Sequence, residues 1–377
     1  MNFLQIKNET SAAGAIYTFG IISYFLLSLV GGAILSVLHC EGFAKTAVSS
    51  LFAAAALGGV SLLSGKVYRA VEGETAAFGK NPTRGGDKKR DKNTPCGGFA
   101  GLKEICGYKK FSLVYIIVAA LISAGIFAGF GFINSAFTGF LAKLGAKISQ
   151  SEITMNGFAE YAILTLSLAV IPALTEESFF RGALAFGFSG RNIFAGATLS
   201  GLIFALYHCS LTQLLYQFIY GAFLYVLAVK AGSVIPCVIA HFLNNFAVLT
   251  ITFFNAELNL YSHFLIVCGL AALAVAAAIL FLYGRSARGD KTDGNLKSDG
   301  EASGEAEKKI GGEASRKTEE KADEKNDEKN SGKNDGKSDG KSGARKAKAG
   351  DVIKDFLLPF GIIGVLATAA TGILSVL

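Results

Sequence analysis

The chain has 377 residues, of which 51% are hydrophobic and only 17% charged, against roughly a quarter charged in an average soluble domain. Its apolar stretches last about 20 residues or more, the length a helix needs to cross a bilayer. A soluble globular fold is excluded, and the expected class is all-α: a polytopic membrane bundle of about eight or nine transmembrane helices.

The net charge of +7 does not point to nucleic acid, because the basic residues gather between apolar runs, where they set topology. The bilayer is the expected environment. Six cysteines (40, 96, 106, 209, 237 and 268) are scattered without a C-x-x-C pair. Cys96 and Cys106 share a basic loop expected in the reducing cytoplasm, so a structural disulfide is not expected. The first apolar run, 13–38, is too long for a signal-peptide core and lacks a small-residue cleavage pattern.

In chain order, residues 1–65 read as a helical hairpin, with spans at 13–38 and 43–65. A polar stretch, 66–110, follows with eleven Lys/Arg against five Asp/Glu, and is expected to be a cytoplasmic loop. The core covers 111–284. Its third span, 111–137, contains Gly125-x-x-x-Gly129, a spacing that permits close helix packing. The fourth starts near 157, passes Pro172 and either stops at an acidic pair or continues, kinked, towards Gly190. Spans at 193–208, 212–229, 233–252 and 262–284 complete the core. Residues 285–351 hold 17 basic and 16 acidic residues with no apolar periodicity, and read as disordered. A ninth apolar run, 352–377, closes the chain.

Parity supports this topology. Six spans separate the basic loop from the charged tract, so both fall on one face, along with Arg191, Lys230, Arg285 and Arg288. The N-terminus is then cytoplasmic, in what is expected to be a bacterial plasma membrane.

The chemistry lies in three polar groups set within apolar runs. Glu176-Glu177-Ser178-Phe179-Phe180-Arg181-Gly182 places two carboxylates and an arginine where a charge costs a few kcal/mol or more. Glu177 and Arg181 are four apart and share a helix face, so each can neutralise the other. Glu176 lies about 100° round from Glu177. Further on, Phe204 and His208 are four apart, as are His241 and Asn245. One or two carboxylates, two imidazoles and a carboxamide suffice to split an amide with water. The carboxylate takes a proton from water, imidazole polarises the water or holds a metal, and His and Asn donate to an oxyanion. A Glu/His/His set also suits zinc, but these residues are dispersed, unlike the H-E-x-x-H spacing on one helix.

Read together, Glu176-Glu177-x-x-x-Arg181, Phe204-x-x-x-His208 and His241-x-x-x-Asn245 resemble the ordered signature of the CPBP intramembrane proteases. That group includes the CAAX prenyl endopeptidases and the bacterial abortive-infection proteins. The resemblance covers about 157–252. It implies an endopeptidase acting on a peptide or protein substrate at the membrane. In it Glu176 activates water with help from His208, while His241 and Asn245 stabilise the oxyanion. Another picture within the same family has Glu176, His208 and His241 holding zinc or another divalent metal. Glu177 and Arg181 would chiefly support the helix. Cleavage is expected on the cytoplasmic side.

Cys209 and Cys237 read as small apolar fillers, His39 and His263 as interfacial anchors, and Asn244 as a packing or capping group. The rival class is a non-catalytic scaffold or a proton-coupled transporter using the same polar groups. No inverted repeat of half-helices is visible to favour it.

Overall fold

Backbone groups that meet no water must be satisfied within their own segment, and every regular element among the described residues is a helix. The computed structural model describes residues 8–77, 107–146, 148, 153–188, 192–256, 262–298, 349–357 and 361–374. The helices are α1 (Glu9–Val37), α2 (Gly42–Ala77), α3 (Val114–Lys143), α4 (Phe158–Phe188), α5 (Ile193–Tyr207), α6 (Leu214–Ala231), α7 (Ile235–Phe253), α8 (His263–Ser298), α9 (Ala349–Phe356) and α10 (Ile362–Leu374). Seven of them are long and apolar enough to span a membrane, while α5 and α10 are shorter apolar helices. The chain is an integral membrane protein.

Of the two alternatives for the fourth span, the structure has the continuing one, with α4 running on past the acidic pair to Phe188. Three other expectations shift. The helix of the second span continues to Ala77, inside the expected basic loop, whose residues 78–106 lie outside the described residues, as does Arg191. α8 passes the expected end at 284 and reaches Ser298, so the tract read as disordered begins with helix; extending an existing helix avoids the cost of a new nucleus. Residues 299–348 of that tract lie outside the described residues. The closing run, expected as one helix, is two, α9 and α10. Pro359 and Gly361, both unfavourable in a helix interior, fall between them.

Met1–Leu282 and Lys346–Leu377 form one compact unit, and Tyr283–Arg345 form a second. Within the first, the N-terminal hairpin is built into the core. The Phe179 ring of α4 fills the notch at Gly20 of α1, where an added Cβ would lie 2.3 Å from it. The buried Tyr68 hydroxyl of α2 donates to the Ala183 carbonyl at 2.8 Å. The closing helix is fixed the same way: the Gly364 amide of α10 donates to Thr18 Oγ1 at 3.2 Å.

The Gly125-x-x-x-Gly129 spacing is used inside the molecule. α3 and α8 touch backbone to backbone there, and a Cβ on Gly269 would stand 2.2 Å from the Gly129 nitrogen. Small residues allow this approach, and dispersion between the closely packed backbones then holds the pair. Gly269→Ala therefore forces the helices apart and costs about 1–3 kcal/mol, whereas Gly139→Ala, which meets open space, is neutral or slightly stabilising. Thermal unfolding of the two variants in detergent checks the difference.

Candidate active site

Glu176 and Glu177 sit between two departures from α geometry in α4. One π-helical stretch covers Thr165–Val170 and the second Ser178–Leu184. Such wide turns re-register the backbone bonds and often accompany functional sites. The first precedes Pro172, which cannot donate a backbone bond. Carbonyls in this region take side-chain donors from other helices: Ser50 Oγ of α2 donates to Ser167 O at 2.5 Å, and Asn245 Nδ2 of α7 donates to Leu168 O at 3.1 Å.

The centre of the site is one oxygen. Glu177 Oε1 accepts from Arg181 Nη1 at 2.9 Å and lies 2.8 Å from His241 Nδ1. The side chains of Glu177 and Arg181 are fully buried, and His241 is nearly so. The guanidinium is itself held from two further sides. Its Nη2 donates to the Gly221 carbonyl of α6 at 3.1 Å, and its Cζ lies 4.3 Å above the Phe204 ring of α5. One arginine thus ties α4, α5 and α6 together, and its carboxylate partner adds α7.

With Nδ1 turned to a carboxylate, His241 has Nε2 left to face outward. That atom lies 3.9 Å from Glu176 Oε2, too far for a direct hydrogen bond. Glu176 Oε2 has no hydrogen-bond partner among the described residues, and its Oε1 accepts a long bond from Tyr207 at 3.5 Å. The two carboxylates are therefore inequivalent. Glu177 is engaged through Oε1 by both Arg181 and His241, with its Oε2 unpartnered among the described residues, whereas Glu176 has only the long Tyr207 contact on Oε1 and an unpartnered Oε2 near His241 Nε2.

His208, at the C-terminal end of α5, bonds through Nδ1 to the Phe204 carbonyl at 2.8 Å. The Phe204 ring meets both imidazoles edge to face, with centroids 4.8 Å from His208 and 5.8 Å from His241. His208 therefore belongs to the same cluster, one ring removed from the carboxylates. Asn245 is joined to Leu168 and to Asn244, whose Nδ2 approaches Asn245 Oδ1 at 3.4 Å; no described hydrogen bond links Asn245 to Glu176 or His208. Asn244, expected as a packing or capping group, also accepts from Tyr216 at 2.7 Å. Sequence reading passed over Tyr207 and Tyr216. Tyr207 precedes His208, and that adjacency was the one signal available for it.

Among the described residues no three His, Cys, Asp or Glu side chains are gathered in a metal-holding arrangement. Glu176 and His241 stand 3.9 Å apart, and His208 is turned by its own backbone bond. As arranged, the three do not form a ligand set.

Residues 158–247 match the family model described as Rce1-like, type II CAAX prenyl endopeptidase. The stretch that holds all three motifs is similar to an Rce1-like domain. No curated protein and no solved structure matches the chain. The matched stretch runs from the start of α4 to within α7, so it contains all three motifs. The helices α1, α2, α3, α8, α9 and α10 that pack round it lie outside the matched residues.

The shared oxygen generates a prediction about stability. Arg181→Met leaves Glu177 as a buried carboxylate without its cation and costs about 3–5 kcal/mol. Arg181→Lys keeps the charge but loses the two-pronged reach to Glu177 and Gly221, and costs less. Unfolding midpoints of the two variants in detergent check the order.

Proposed function

We propose that this protein is an intramembrane endopeptidase that hydrolyses a peptide bond near the membrane surface with water activated by Glu176. The observation that carries this is the pairing of an unengaged carboxylate oxygen with an oriented imidazole, Glu176 Oε2 and His241 Nε2, 3.9 Å apart within the Rce1-like stretch. An oxygen seated between the two atoms would be within hydrogen-bonding reach of both. Glu176 takes a proton from that water as it attacks the scissile carbonyl, and returns it to the departing amine. His241, fixed through Nδ1 by Glu177 and Arg181, accepts a hydrogen bond from the water at Nε2 and aligns it for attack, while Asn245 donates to the developing oxyanion.

His208 and Asn245 complete the set. His208 keeps Nε2 available, because Nδ1 is bonded to Phe204, and assists at the water or the leaving group. Asn245 has a second amide hydrogen beyond the one given to Leu168, and this second hydrogen is the oxyanion donor that the family resemblance implies. Phe204 packs against both imidazoles and excludes solvent from them. The name of the matched family points to a prenylated C-terminal peptide, while the resemblance to abortive-infection proteins allows a wider peptide range.

Two substitutions separate chemistry from positioning. Glu176→Gln removes the base with little change of shape and should lower turnover by about 10²–10⁴-fold, with the folded fraction unchanged. Comparing membrane-protein fragments from cells that express wild type or Glu176→Gln identifies the substrates and measures the loss. Equal fragment patterns would exclude peptide hydrolysis by this carboxylate. Glu177→Gln should lower both turnover and unfolding midpoint, because the same oxygen holds Arg181 and His241.

A further inference from the structure

Among the described residues lies a cavity of about 1200 Å³, above the roughly 300–1,000 Å³ of small-molecule sites. Its lining includes Ser28 of α1, Thr46 and Ser49 of α2, Thr138 of α3 and Thr212 in the α5–α6 turn. All of these elements meet at one end of the bundle. The short α5, whose 15 residues rise only about 22 Å, ends at the turn that brings Ser210, Thr212 and Gln213 into the cavity wall.

The cavity adjoins the Glu176 site through residues that touch it. Tyr24 lines the cavity and meets Tyr207 edge-on at 5.2 Å, and Tyr207 is the hydrogen-bond donor to Glu176. Leu168 lines it too, and its carbonyl is the acceptor for Asn245. Ser210, two residues beyond His208, is also part of the wall.

The opposite end of the bundle is strapped shut. The segment just before α3 lies across it, with the Val234 amide donating to Gly107 O at 3.0 Å and Ser233 Oγ to Lys109 O at 2.8 Å. Tyr108 reaches Ser178, next to the acidic pair, at 2.7 Å. The described ends of the basic stretch, 66–77 and 107–110, lie at this end, and the stretch 66–110 has eleven Lys/Arg against five Asp/Glu in sequence. At the open end the described residues hold Lys45 and Lys143 against Glu41 and Glu160, which is balanced. The positive-inside bias therefore puts the closed end in the cytoplasm.

We propose that the substrate enters from the non-cytoplasmic face. It is a membrane-anchored polypeptide whose cleaved segment emerges on that side and lies, extended and uncharged, among the hydroxyls of the cavity. The expectation of cytoplasmic cleavage is thereby reversed, and a cytoplasmic prenylated C-terminus does not fit. The described cavity lining is rich in Ser and Thr and has Lys45 as its one charge, which suits a polar peptide backbone better than an acidic or basic tail. The substrate side rests on the peptidase reading above; the sidedness of the cavity does not.

The test uses the full-length chain in intact cells, with every cysteine except the buried Cys237 replaced by serine. Thr46→Cys and, as a second variant, Ser49→Cys are treated with a membrane-impermeant maleimide before and after permeabilisation, beside Lys92→Cys in the basic loop. The expected result is labelling of 46 and 49 in intact cells and of 92 only after permeabilisation. The reverse pattern overturns the proposal. In parallel, cleavage sites that are lost with Glu176→Gln are mapped on membrane proteins. Sites on the non-cytoplasmic side support it, and sites confined to the cytoplasmic side overturn it. External labelling with no Glu176-dependent cleavage would overturn the peptidase reading and the substrate proposed with it, while leaving the sidedness standing.

Discussion

A single carboxylate oxygen, Glu177 Oε1, holds this core together. It takes Arg181 at 2.9 Å and His241 at 2.8 Å, in surroundings where an unpaired charge is costly. Because the arginine also reaches Gly221 and lies over Phe204, four helices converge on one ion pair. The requirement is both structural and chemical. The groups that must neutralise each other to remain buried are the same groups that fix the imidazole facing Glu176.

Much of this was legible in the sequence, because charges in apolar runs are few and their spacing is constrained. The i,i+4 relation of Glu177 and Arg181 anticipated the ion pair, and the helix turn between Glu176 and Glu177 anticipated that they would have different neighbours. The third polar partner was less accessible. Nothing in the spacing of His241 says that Nδ1 would go to Glu177 rather than Glu176, since α7 is fixed against α4 by long-range packing. Asn245 shows the same limit. Its amide is bonded to Leu168 O, in a wide turn that no residue pattern announces.

The fold followed similar lines. Apolar length located the helices, but their ends moved where propagation or proline chemistry outweighed composition, as in α2, α8 and the α9–α10 pair. The shortness of α5 could be read from the sequence as well, yet what its end adjoins could not. Only in three dimensions does the turn that ends this 15-residue helix join the wall of a polar cavity beside the site. The helices that wall this cavity lie largely outside the Rce1-like stretch. The family-matched stretch and most of the cavity wall are thus contributed by different parts of one chain.

The central claim is that Glu177 acts through His241, and a double-mutant cycle on turnover tests it most directly. Glu177→Gln, His241→Gln and the double variant would be compared on a peptide taken from the mapped cleavage products. If the two side chains work as one unit, the double variant is no slower than the slower single variant. Losses that multiply in the double variant would show independent roles and contradict the coupling of ion pair and imidazole.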